Sequence, residues 1–167
     1  GEVACFDLKG MADGNQGFAD EGRYMAGPGK KPHDPGETDA DILWTYDMMK
    51  NLGVRPHNIT SSSVALVEGM IVATTSNGFD EEHDHLPAPE APSLITLDAI
   101  TGKLKGVEQA GISKATMHCN WSSPCIGRYK GQPTVLFGGG DGESSPLGSA
   151  VLACVSVPGT AYDLARM

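Results

Sequence analysis

The chain has 167 residues, enough for one domain with a sizeable core or for part of a larger repeat architecture. Its 22 Gly and 11 Pro, with few aromatic residues, exclude a helical bundle and describe short strands joined by long turns. Lys and Arg number 12 against 21 Asp and Glu, a formal charge of −9 that repels nucleic acid and anionic membranes and leaves cations, a small molecule or a protein as expected partners.

In chain order, Val3 to Phe6 alternate and run into turn residues at Asp7 and Gly10, which predicts a first strand. From 11 to 41 there is no sustained period, only Gly, Pro, Asp and Lys, so a long surface insertion is expected. Its Gly27-Pro28-Gly29-Lys30 piece lacks the spacing and the Ser/Thr of a phosphate loop. Residues 41–47 read as a strand with Ile42, Trp44 and Tyr46 on one face, followed by a helical turn that Gly53 closes.

The most regular stretch is 61–106. It predicts a strand, a tight turn at Glu68-Gly69, a second strand, an acidic and proline-rich excursion over 79–93, a third strand and a turn at Thr101-Gly102. A connection then leads to a strand from about 123 to 128, a hairpin turn at Tyr129-Lys130-Gly131 and an apolar strand that stops in Gly138 to Gly142. The tail holds one more strand pattern, over 150–157.

Four cysteines, Cys5, Cys119, Cys125 and Cys154, permit two disulfides but form no CxxC pair. A Cys119–Cys125 bridge fits an oxidising compartment; buried free thiols on strands are the other reading. No apolar run is long enough for a membrane span. The start at Gly1, with neither Met nor a signal-like segment, is expected to be processed or truncated.

Two self-matches point to a repeat. His57-Asn58-Ile59-Thr60-Ser61-Ser62 resembles His118-Cys119-Asn120-Trp121-Ser122-Ser123, each followed by strand, Gly-containing turn and strand; residues 4–10 resemble 95–102. At Leu97-Asp98-Ala99-Ile100-Thr101-Gly102-Lys103-Leu104 the chain is similar to the pyrroloquinoline-quinone-binding-like, or quinoprotein-type, β-propeller repeat, in which a strand reading roughly ALDAxTGKxxW ends a blade. Phe6 to Gly10 is a looser match, with Trp44 as its tryptophan beyond the insertion, and the FGGGDG run resembles a third blade strand.

That resemblance implies an all-β chain, a partial β-propeller of antiparallel four-stranded blades with long loop insertions. Residues 1–142 are then a β-propeller-like repeat segment (insertion 11–41, acidic loop 79–93), and 143–167 a tail not assigned to the repeat. A closed propeller has roughly 4–8 blades and this chain has material for about two, so a fragment that self-associates is expected. The family's dehydrogenases hold the quinone with adjacent cysteines and calcium with a Glu, an Asn and an Asp. This sequence has no adjacent Cys pair and none of those ligands is placed by motif, so no cofactor-binding residue is assigned and quinone is not expected. A binding or scaffold module, periplasmic or secreted, is the leading expectation; a fragment of a quinoprotein dehydrogenase is the most distant one.

Apart from any family, the densest set of ligating side chains is Asp80, Glu81, Glu82, His83, Asp84 and His85. Carboxylates suit Ca²⁺, and two imidazoles two residues apart can share Zn²⁺, so these six are the expected metal ligands, set against a solvated acidic loop. A bound ion could serve hydrolysis of a small ester or lactone, such as an acyl-lactone signal, with Asp80, Glu81 or Glu82 as base. His57 and His118, at matching repeat positions, are expected to be structural, hydrogen bonding a neighbouring turn. No catalytic residue is assigned: the serines lack a GxSxG elbow. Asn58-Ile59-Thr60 and Asn120-Trp121-Ser122 have the form of glycosylation acceptors.

Overall fold

The computed structural model describes residues 1–58, 62–116, 118–139 and, for the backbone, 152–156. Ile59, Thr60, Ser61 and the end of the glycine run, Gly140 to Gly142, lie outside the described residues. The chain is mostly β, with antiparallel sheets and two short α-helices among the described residues, as the alternating stretches predict. It divides into two compact units, Glu2–Tyr46 and the remainder, Gly1 with Asp47–Met167.

In the smaller unit, β1 (Glu2–Asp7) and β2 (Asp41–Asp47) form a two-stranded sheet. Val3, Ile42 and Trp44 are its buried apolar residues, two of them on the predicted face of β2. The insertion between the strands is more ordered than its composition suggests. It carries a 3₁₀ turn at Gly10–Asp13 and the helix α1 (Glu21–Ala26). Main-chain bonds order it internally and tie it to β2: within the insertion the N–H of Met11 donates to the Asp39 carbonyl at 3.0 Å and that of His33 to Gly22 at 2.9 Å, and the Phe18 N–H donates to the Ile42 carbonyl of β2 at 2.9 Å. Backbone bonds of this kind leave no side-chain period, and six residues of helix are too few to show one.

The larger unit begins with α2 (Met48–Leu52). Asp47 caps it by accepting from the Lys50 N–H at 2.9 Å, and Gly53, left-handed at φ 69°, ends it as expected. After an antiparallel bridge between Pro56 and Asn77 come β3 (Ala65–Val67), β4 (Met70–Thr74), β5 (Leu94–Asp98) and β6 (Leu104–Val107). These pair antiparallel in sequence order, a four-stranded meander. Glu68 and Gly69 have φ of 47° and 76°, the doubly left-handed turn whose twist matches a two-residue hairpin.

A 3₁₀ turn (Ile112–Ala115) leads to β7 (Cys125–Tyr129), β8 (Gln132–Gly138) and β9 (Leu152–Ser156), a three-stranded antiparallel sheet. Lys130 and Gly131, with φ of 49° and 80°, repeat the same tight turn. β9 falls inside the strand pattern read in the tail and pairs with β8, so this part of the tail extends the sheet. Val67, Val72 and Leu94 pack with Val135, Phe137 and Ile112 in one core, so the two sheets are joined through buried branched and aromatic side chains. Each such side chain contributes about 1.5–3 kcal/mol when fully buried.

Candidate metal centre

The six residues of the acidic excursion expected to hold a metal do not gather at one point. Asp80 and His85 pair with each other, Oδ2 to Nδ1 at 2.5 Å. Glu81, Glu82 and Asp84 stand exposed on the turn. Of the six, His83 joins a cluster, and its partners come from elsewhere in the chain: His57 and His118. One ring nitrogen from each of the three lies within 4.8 Å of the other two.

The cluster is assembled by the backbone of one residue. The Phe79 N–H donates to the His118 carbonyl at 2.8 Å, and the Phe79 carbonyl accepts the Nδ1–H of His57 at 2.8 Å. A carbonyl accepts only, so Nδ1 of His57 carries the proton and its Nε2 is the acceptor; it takes a bond from Asn58 Nδ2 at 2.7 Å, which an ion at the cluster would have to displace. Further along, the Asp80 carboxylate accepts the N–H groups of Asp84 at 2.9 Å and His85 at 3.4 Å, closing a turn over His83. His83 sits there at φ 63°, a left-handed conformation that costs energy outside glycine. Loss of water raises the Asp80 pKa, but the N–H groups of Asp84 and His85 and the charge of His85 outweigh it and hold the carboxyl below its ordinary value.

The Nε2 atoms of His57 and His118 are 2.8 Å apart, and those of His118 and His83 are 2.9 Å apart. His57 is buried, His118 half-buried and His83 exposed, so the cluster has one closed side and one open to solvent. Trp121, about half exposed, stands edge-on to His118 with ring centroids 4.7 Å apart. Tetrahedral zinc with bonds of about 2.0–2.1 Å needs its nitrogens roughly 3.3–3.4 Å apart, so an ion would spread the rings by about half an ångström. A shift of His83 would widen its 2.9 Å approach to His118, whereas the 2.8 Å approach of His57 and His118 would have to widen through one of those two rings. The donor set is three neutral imidazoles, which suits zinc, copper, iron or nickel.

Behind the rings, Asn77 holds four chain segments together. Its Oδ1 accepts from the Arg55 N–H at 2.8 Å, while Nδ2 donates to the Ala88 carbonyl at 2.8 Å and to Ser113 Oγ at 3.0 Å. Gly78 lies directly against the His118 segment: a Cβ there would meet the His118 carbonyl oxygen at 2.2 Å. Cys119 is buried and is not bridged to Cys125, which is exposed on β7; Cys125 and Cys5 are free thiols.

Compared with protein-family models the chain matches none, and among curated proteins no match is found. Among the described residues no helix is long and apolar enough to cross a membrane.

Of the three clustered histidines, His83 is among the six residues expected from the sequence to hold a metal. His57 is expected from the sequence to bond a neighbouring turn, and the Phe79 contact is such a bond; the same ring turns its second nitrogen into the cluster.

Proposed function

We propose that this chain is a β-propeller-repeat binding module of the quinoprotein-like type, whose ligand is a divalent transition metal held by His57, His83 and His118. The convergence of three ring nitrogens carries the reading. Neutral imidazoles crowded to 2.8 and 2.9 Å place lone pairs against one another unless protons or an ion lie between them. The four-stranded meander and the paired left-handed hairpin turns support the blade repeat. A periplasmic or secreted setting belongs to the same proposal, drawn from the resemblance alone.

The open side favours a second reading, hydrolysis of small esters or lactones. Held by His57, His83 and His118, a divalent ion would supply Lewis acidity toward a carbonyl and a water molecule. Phe79 fixes the tautomer of His57, the Asp80 turn sets His83, and Trp121 offers an apolar wall to a small acyl group. A dehydrogenase fragment is not adopted, because the adjacent cysteine pair is missing from the sequence.

Elemental analysis of the purified protein tests the metal. About one equivalent of zinc or copper is expected, retained on dialysis and lost in His118→Ala; binding weakens in mildly acidic buffer because the ligands must be deprotonated. A protein that neither carries nor takes up either metal leaves only the scaffold reading. Ester and lactone cleavage that a chelator abolishes and zinc restores supports the hydrolase; cleavage indifferent to both removes it.

A further inference from the structure

The smaller unit contains a second arrangement that asks for a cation. Glu21 and Asp41 are both buried, at 1% and 0% exposure. A carboxylate out of water is costly unless it is paired or coordinates a metal. The ion pairs within this unit, among the described residues, join Lys9 to Asp13 and His33 to Asp39, and neither involves Glu21 or Asp41. Glu21 Oε2 accepts from Asn15 Nδ2 at 2.8 Å, and its Oε1, shielded from solvent, has no hydrogen-bond partner among the described residues. Asp41 accepts one donor with both oxygens, the Gln16 N–H at 3.2 Å.

The two carboxylates therefore meet consecutive residues of one loop, Asn15 and Gln16. That loop cannot drift from the start of β2. Phe18 is bonded to the Ile42 carbonyl at 2.9 Å, and Gly17, left-handed at φ 76°, approaches Leu43 so closely that a Cβ would lie 2.3 Å from its carbonyl oxygen. Two buried acidic groups at this seam have no ion-pair partner among the described residues, a cost that an oxygen-preferring ion would offset.

We propose that Glu21 and Asp41 bind a hard divalent cation of the calcium class, with the Asn15 amide oxygen and loop carbonyls completing the shell. Calcium takes six to eight oxygens in flexible geometry, whereas magnesium demands a near-octahedral shell and keeps its waters. An all-oxygen donor set also separates this site from the imidazole cluster, which favours softer ions. The bound cation fastens the insertion to the sheet of its own unit.

The test uses the full chain, freed of metal by chelation and titrated with Ca²⁺. Saturable binding of about one equivalent, with Kd below about 1 mM, is expected, together with a rise in Tm that Mg²⁺ reproduces weakly. Glu21→Gln loses at least about tenfold in affinity, while Glu37→Gln, an exposed carboxylate on the same insertion, leaves it unchanged. With Tb³⁺ in place of Ca²⁺, emission sensitised by Trp44, about 10 Å along β2 from Asp41, disappears in Trp44→Phe and persists in Trp121→Phe. No saturable binding overturns the proposal, as does emission that depends on Trp121. A Glu21→Gln protein that is more stable than the unmodified chain and responds to Ca²⁺ as the unmodified chain does also overturns it, since Glu21 is then a buried neutral acid.

Discussion

Phe79 contributes no ligand atom, yet its peptide is what brings His57 and His118 together, through one donated and one accepted bond. Its role is in the main chain, and no side-chain motif marks it. Asp98 is the opposite case. The LDAITG run reads as a turn, and in the structure the Thr101 N–H, the Thr101 hydroxyl, Lys105 and the Ile100 N–H outweigh desolvation and lower the Asp98 pKa from 3.8 to about 2. Because the folded value lies below the unfolded one, this stabilisation is complete above about pH 3.8 and is lost as pH falls through about 2. A Tm profile across that window is expected to fall more steeply for the unmodified protein than for Asp98→Asn; equal slopes would show that these bonds do not act through charge. Asn120, read as a glycosylation acceptor, is fully buried, so its amide is closed to a modifying enzyme in the folded protein.

At the scale of elements, β2, α2, β4 and β5 lie where alternation, caps and turn residues put them. β7 begins at Cys125, two residues later than the pattern suggested, because Ser122 instead donates its hydroxyl to the Gly138 carbonyl at 2.5 Å and Ser123 accepts from the Ser63 N–H at 2.9 Å. The acidic excursion shows how a loop becomes part of a site: Gly78 and Phe79 are locked to the His118 segment before the chain turns at Asp80. Gly78→Ala tests that contact. Its Cβ would meet backbone at 2.2 Å and Cys119 Cβ at 2.5 Å, so the His118 strand-leader must move. Metal affinity is expected to drop about 10–100-fold, as for other changes behind ligands, while circular dichroism keeps its β signature; unchanged metal content would show that the segments are placed by other contacts.

For the molecule as a whole, the two sheets of the larger unit leave edges at β3, β6, β7 and β9 among the described residues. Leu66, Ile126 and Tyr129 are exposed, and a cavity of about 430 Å³ lies between the Leu66–Glu68 hairpin and Ile126, Arg128 and Pro133. Open strand edges and exposed apolar side chains favour pairing with another chain. Self-association is therefore expected in light scattering at micromolar concentration; a monodisperse monomer would count against an open blade segment.

Local physics alone determined much of this protein: which stretches are strands, where the two left-handed hairpin turns fall, that Asp47 and Gly53 bracket a helix, and that an acidic chain with histidines suits cations. Those features rest on neighbours in sequence, through alternation, capping and turn conformation. The three-histidine cluster and the buried Glu21–Asp41 seam depend on residues tens of positions apart, brought together by main-chain bonds and close glycine contacts. Such bonds leave no mark on residue type, so only the tertiary structure could decide which histidines and carboxylates meet.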